Sequence, residues 1–303
     1  MNQDIINALS DIIPKDYLFT NEKMSKHTTF RTGGAAKVFV CPENVEQLQK
    51  TVKLLEKAET EYFILGNGSN LLVSDTGYDG VIISLRNFAD IHLDDENVIF
   101  SEAGAMNSAI ASFARDNSLT GFEFAAGIPG TIGGAMIMNA GAYGGEMKLV
   151  TKAVKVMTSE GECIRLDNAA MRFGYRTSAL KGKKYIVLSV LLELEKGSAP
   201  EISEKMQELA LKRKEKQPLE FPSAGSTFKR PEGYFAGKLI EDAGLRGYSV
   251  GNAQVSEKHC GFVVNKGGAT SSDIFKLIED VKSKVFEDAG IMLEPEVIML
   301  GKF

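Results

Sequence analysis

Apolar residues recur along this chain at two spacings, and the two do not alternate in strict order. Val45, Leu48, Val52 and Leu55 stand at helical spacing and predict an amphipathic helix over 44–58. Short apolar runs at 36–40, 62–65, 81–85 and 98–101 predict strands. A helix carrying Ile110, Phe113 and Ala114 is predicted over 107–117, and a weak helical pattern covers 5–13. After a glycine-rich interval at 121–145, strands are predicted at 150–158, 162–165 and 185–194. Composition shifts near 196–200, and a charged helix over 201–216 then places Ile202, Met206, Leu209 and Ala210 on one face. Helices follow at 234–243 and 272–289, with Gly244 and Gly290 as stop signals. In the second, Ile274, Leu277, Ile278, Val281 and Val285 form one stripe, and Thr270 with Asp273 offers a capping-box start. The chain closes on a strand predicted over 292–300. Strands and helices mixed without βαβ alternation, and without internal repeats, predict an α+β fold and not a doubly wound sheet.

Composition narrows the function classes. The 303 residues suggest two domains or so, at roughly 100–200 residues each. A formal charge of −5 argues against the broad basic face that duplex nucleic acid requires. No apolar run approaches the ~20 residues that span a bilayer, and 1–16 lacks the basic start and apolar stretch of a signal peptide. Cys41, Cys163 and Cys260 lie far apart without metal spacing, so thiols in a reducing compartment are expected, with no disulfide framework and no metal.

Five stretches carry candidate chemistry. Residues 65–72, LGNGSNLL, take a strand directly into a loop that can adopt positive φ and expose successive amides as an anion nest; a plain tight turn is the alternative. It is neither a G-x-G-x-x-G fingerprint nor a Walker loop. Residues 126–145 are too rich in glycine for a core strand, which suggests close backbone approach to a flat ligand or, alternatively, a tight crossing of two backbones. Arg176, flanked by Phe173 and Tyr175, suits bidentate carboxylate recognition, although a structural ion pair is the commoner fate. Gly225 could bring Ser226 close to a ligand, or merely make a turn. Glu294 and Glu296 share one face of the last predicted strand, where Pro295 argues for an edge or bulge. The region 223–270 is locally positive, and its Lys229, Lys238, Arg246 and Lys258 are candidates for meeting a diphosphate, with a solvated surface as the alternative.

Taken together and in this order, these motifs resemble the UDP-N-acetylenolpyruvoylglucosamine reductase (UDP-N-acetylmuramate dehydrogenase) family. The resemblance runs from about Thr28 to the C-terminus and includes 29–34, 66–70, 127–145, 173–178, 225–229, 239–247, 255–259 and 293–297. It implies a flavoprotein of the PCMH or vanillyl-alcohol-oxidase type. Two FAD-binding α+β subdomains, expected at 1–80 and 81–196, would be followed by a substrate-binding α+β domain at 197–303, whose last strand carries Glu296. FAD would be held non-covalently by Gly66, Asn67, Gly68, Ser69 and Asn70, and by Gly127, Ile128, Pro129, Gly130, Thr131, Gly133, Gly134, Asn139 and Gly141. His27, His259 and the cysteines then take structural roles. NADPH would be the hydride donor, and UDP-N-acetylglucosamine enolpyruvate the substrate, in peptidoglycan precursor synthesis. The family's catalytic Arg, Ser and Glu fall on Arg176, Ser226 and Glu296. Arg176 and Glu296 would stabilise charge that develops on the enolpyruvyl carboxylate, and Ser226 would protonate the adjacent carbon. Part of the family inserts a Tyr-bearing loop after the Arg motif. Here 181–184 leads straight into a strand, so the chain resembles the shorter subclass. A monomer in the cytoplasm, without nucleic-acid or membrane partners, is expected. A flavin oxidase of the same fold and a non-catalytic nucleotide-binding module are the competing readings. The presence of Arg176, Ser226 and Glu296 argues against both.

Overall fold

The computed structural model describes residues 3–303; Met1 and Asn2, the start of the stretch read for a signal peptide, lie outside them. The chain folds as two compact units. Residues 3–19, Val38–Asn67 and Gly80–Arg213 form the first, and Thr20–Lys37, Gly68–Asp79 and Lys214–Phe303 form the second. The expected boundaries at 80 and 196 differ from these for a physical reason. Leu71–Val73 pairs in parallel with Ile298–Leu300, and Phe30 and Leu72 join the core built by Ile274, Leu277 and Val281. Two segments from the N-terminal third therefore fold with the C-terminal residues.

The first unit contains a five-stranded antiparallel sheet in the order Cys163–Asp167, Thr151–Met157, Ile186–Glu193, Val98–Glu102, Ile91–Asp95. Its apolar residues, among them Val154, Val156, Val190 and Leu192, share one core with Leu48, Val52 and Leu55 of the helix Val45–Lys57. That helix starts where Asn44 accepts a hydrogen bond from the Gln47 amide. Thr51 faces inward with the expected stripe, whereas Val45 in the first turn is 36% exposed. Tyr62–Leu65 pairs in parallel with Tyr78–Ser84 and leads into the first glycine loop.

The interval 121–145 contains a helix, Ile132–Met138, that propensity argues against because Gly133 and Gly134 lie inside it. Tertiary contact overrides propensity here. The Ile132 and Gly133 amides donate to the Ala105 and Ala103 carbonyls. A Cβ on Gly133 would come within 2.9 Å of both Cβ and the carbonyl oxygen of Ala103.

The second unit is organised by the helix Ser271–Ala289, which buries Ile274, Leu277, Ile278, Val281 and Val285, at roughly 1.5–3 kcal/mol for each large aliphatic side chain. The capping box forms: Thr270 accepts from the Asp273 amide and Asp273 accepts from the Thr270 amide, while Gly290 ends the helix at φ 68°. The last strand is shorter than expected, Ile298–Leu300, because Pro295 cannot donate to a ladder and makes only an isolated bridge to Phe228.

Candidate active site

Arg176 lies in a two-residue turn. Gly174 and Thr177 exchange backbone hydrogen bonds of 3.0 and 3.3 Å, leaving Tyr175 and Arg176 at the tip. Arg176 has φ 53°, a left-handed conformation that is strained for a residue with a long side chain. Its guanidinium lies over the Tyr175 ring at 5.2 Å and donates from Nη2 to the Gly141 carbonyl at 3.4 Å. Lys181 Nζ donates to the Arg176 carbonyl at 3.0 Å. The side chain is half-buried, a setting in which a planar cation recognises a carboxylate with little competition from water.

In the second unit the structure brings Ser226 and Glu296 onto paired segments. The Glu296 amide donates to the Thr227 carbonyl at 2.8 Å, and the Lys229 amide to the Glu294 carbonyl at 2.9 Å. Thr227 is fully buried; its amide donates to Gly261, and its hydroxyl accepts from the Val263 amide at 3.0 Å. The residue after Ser226 is thus pinned on both sides. Gly225 has φ 74°, and nothing lies within 4 Å of where its Cβ would be, so its glycine answers a backbone requirement and not close packing. Ser226 is exposed, and its hydroxyl has no hydrogen-bond partner among the described residues. Asn70 Nδ2 donates to the Glu296 carbonyl at 3.1 Å, and the Ile298 amide donates to the Asn70 carbonyl at 3.0 Å. Asn70, expected to serve the cofactor, therefore has its amide engaged in holding the segment that carries Glu296.

The glycine-rich stretch divides by role. A Cβ on Gly141 would lie 2.6 Å from the Gly145 carbonyl, one on Gly145 would enter the Phe124 ring, and one on Gly127 would meet the Arg213 side chain at 3.2 Å. Gly133 and Gly141 thus show backbone packed against backbone, which is the tight-crossing alternative, whereas Gly127 and Gly145 pack against side chains. Gly134 differs: a Cβ there would meet only Thr131 Oγ1, at 3.7 Å. Asn67 Nδ2 donates to the Pro129 carbonyl at 3.1 Å, tying the first glycine loop to the second. Asn139 is 1% exposed with both ends of its carboxamide engaged by protein.

Residues 36–167 match the FAD binding domain family, and residues 217–300 match the C-terminal domain of UDP-N-acetylenolpyruvoylglucosamine reductase. The UDP-N-acetylenolpyruvoylglucosamine reductase of Clostridioides difficile (strain 630) is 50% identical over 302 residues, covering 99% of each chain. That of Caldanaerobacter subterraneus subsp. tengcongensis is 48% identical over 302 residues, covering 100% of each. The chain belongs to the UDP-N-acetylenolpyruvoylglucosamine reductase family. The crystal structure of the Thermus caldophilus UDP-N-acetylenolpyruvylglucosamine reductase, 35% identical, superposes with a TM-score of 0.80 over 92% of this chain and 97% of that one. The glucose-oxidase variant of Phl p 4 matches 64% of this chain and 44% of that one at 13% identity with a TM-score of 0.52, which speaks to the fold alone. The α+β fold of PCMH type expected from the sequence is the one observed.

The donor set fits the FAD of this reductase family. Gly68 has φ 60°, and the amides of Asn67, Gly68 and Ser69, together with the Ser69 hydroxyl, donate to no acceptor among the described residues. Successive amides of this kind form an anion-binding nest. The basic candidates for the substrate diphosphate each have a protein partner in the structure. Lys229 pairs with Glu294 and Lys238 with Asp242; Arg246 bridges Glu241 and the Glu257 carbonyl; Lys258 donates to the Lys214 carbonyl. His259 accepts from the Gly261 amide at 3.0 Å, and burial pushes its pKa down, consistent with a neutral structural role. Cys41 and Cys260 are buried and Cys163 is exposed, all as free thiols, and no cluster among the described residues could hold a metal.

Proposed function

We propose that this reductase reduces the enolpyruvyl group of UDP-N-acetylglucosamine enolpyruvate to UDP-N-acetylmuramate with NADPH, in peptidoglycan precursor synthesis, and that Arg176, Ser226 and Glu296 carry the reaction. The enzyme is an FAD-dependent oxidoreductase, and FAD when bound supplies the hydride chemistry between NADPH and the substrate. The observation that carries the assignment is Ser226: an exposed hydroxyl without a hydrogen-bond partner among the described residues, displayed by a left-handed Gly225 and followed by a doubly pinned Thr227.

The chain's own groups divide the work as follows. Arg176 binds the substrate carboxylate and stabilises the negative charge that builds there once hydride has reached the terminal vinyl carbon. The Ser226 hydroxyl gives its proton to the carbon next to that carboxylate. Glu296, protonated or acting through a bound group, stabilises the same developing charge. Asn67, Gly68 and Ser69 would offer their amides to the FAD pyrophosphate, and Gly134, in the first turn of the helix Ile132–Met138, leaves room for a ligand to approach the backbone. The proposed setting is a monomer in the cytoplasm, where NADPH and nucleotide sugars are supplied. No helix among the described residues is long and apolar enough to cross a membrane.

Single-turnover reoxidation of pre-reduced enzyme by the enolpyruvyl substrate tests the assignment. Ser226→Ala should slow it by about 10²–10⁴-fold, the range of positioned acid catalysis. Melting temperature and FAD content should stay at wild-type values, because the hydroxyl makes no hydrogen bond among the described residues. A loss below about tenfold, well short of that range, removes Ser226 as the proton donor.

A further inference from the structure

We infer that Asn139 is a positioning residue for Arg176, tying the turn that carries the arginine to the hairpin that receives its guanidinium. This rests on the reading of Arg176 as the carboxylate-binding residue. Asn139 follows the helix Ile132–Met138 in the left-handed conformation, φ 44° and ψ 54°. Its Nδ2 donates to the Gly174 carbonyl at 3.1 Å and to Glu146 Oε2 at 3.0 Å, and its Oδ1 accepts from the Lys148 amide at 2.9 Å. Both N–H donors are in use and the residue is 1% exposed, so its carboxamide is committed to protein contacts.

The bonds close a circuit. Asn139 holds Gly174, the first residue of the Arg176 turn. Arg176 Nη2 reaches the Gly141 carbonyl at 3.4 Å. Gly141 pairs with Glu146 across the short hairpin of Gly141–Ala142 and Gly145–Glu146. Glu146 returns to Asn139 through its carboxylate. The backbone and the charged end of Arg176 are therefore referenced to one buried carboxamide. Asparagine suits the place because it tolerates left-handed backbone and supplies two donors and an acceptor on a short stem. Aspartate lacks the donors. Ser178 Oγ also donates to the Ile137 carbonyl at 2.9 Å, so loss of Asn139 loosens the turn without detaching it.

Asn139→Gly keeps the backbone conformation and removes all three ties. Reoxidation of pre-reduced enzyme by the enolpyruvyl substrate should slow on the order of 10–100-fold, the penalty for a displacement near 1 Å. Flavin reduction by NADPH and FAD content should hold. Arg176→Ala should impair reoxidation by itself, and adding Asn139→Gly to it should change nothing further, because the effect travels through the arginine. Multiplying effects in the double variant, or equal damage to both half-reactions, would overturn the inference. An unimpaired Arg176→Ala enzyme would overturn the reading of Arg176 and the inference with it. The combination Asn139→Asp with Glu146→Gln keeps side-chain volume, the Lys148 bond and a reversed 139–146 bond, but supplies no donor to Gly174. It should remain slow and well folded; a wild-type rate would overturn the inference.

Discussion

Replacing Asp75 by alanine should destabilise the second unit through a helix that begins almost 200 residues later in the chain. Asp75 Oδ1 accepts from the Ser271 amide at 2.8 Å, and Oδ2 accepts from the Ser272 amide at 2.8 Å and its hydroxyl at 2.6 Å. The first amides of the helix Ser271–Ala289 have no partner within the helix. Asp75 satisfies two of them, and Thr270 Oγ1 takes the Asp273 amide at 3.0 Å. Ser271 is fully buried, so water replaces its lost acceptor poorly, whereas Ser272 is exposed and is rehydrated. An unsatisfied buried amide costs about 1–3 kcal/mol, and the lost charge at the helix N-terminus costs about 0.3–1 kcal/mol. The sum for Asp75→Ala is about 1.3–4 kcal/mol in urea denaturation at pH 7, and Asp75→Asn, which keeps one acceptor oxygen, should lose less. Burial pushes the Asp75 carboxyl up, but the Ser272 hydroxyl and the Ser271 and Ser272 amides outweigh it and hold the pKa below its usual 3.8. The ionised group binds fewer protons when folded, so its contribution is present above the unfolded pKa and disappears as pH falls through the folded one. The gap between wild type and Asp75→Ala should therefore close between pH 5 and the acid limit of folding. A gap below about 0.5 kcal/mol at pH 7, the range of an ordinary surface change, or one that widens in acid, refutes the reasoning.

Gly68→Ala should destabilise the FAD-free protein by at least about 1–3 kcal/mol, because the residue has φ 60° and its Cβ would fall 2.0 Å from the His27 carbonyl oxygen. Thermal melts of the apoprotein check this, and an undisturbed apoprotein with only its FAD affinity lost would place the conflict with the ligand instead. Acid precipitation should release all FAD to the supernatant, since the nest offers amides and a hydroxyl but no covalent attachment; yellow colour kept in the pellet contradicts this. FAD at 100-fold excess over its Kd should raise stability by about 2.7 kcal/mol, a gain that disappears when the flavin is stripped.

Local patterns in the sequence were enough for the elements whose stabilising contacts are close along the chain. The helix Ser271–Ala289 shows its stripe, its capping box and its terminal glycine within 21 residues, and the structure reproduces all three. Arg176, Ser226 and Glu296 could be put forward as candidates because their motifs, weak one by one, resemble a single family when taken together and in order. The helix Ile132–Met138 was not, because the reason for it lies in the Ala103 and Ala105 carbonyls almost thirty residues earlier. Nor was the mixed make-up of the second unit, which depends on pairing of Leu71–Val73 with Ile298–Leu300.

The asparagines show the division most clearly. Asn70 and Asn139 stand in glycine-rich stretches, and the family resemblance assigns both to the cofactor. Asparagine is chosen in such places for its tolerance of tight backbone and for a carboxamide that can bond in either direction. Sequence determines that capacity, since it is a property of the residue and its neighbours. It does not determine the partner. Asn70 reaches the Glu296 carbonyl across 226 residues, and Asn139 reaches Gly174 across 35. A hydrogen bond is decided by distance and direction within a few tenths of an ångström, and only the packed tertiary structure brings such atoms together.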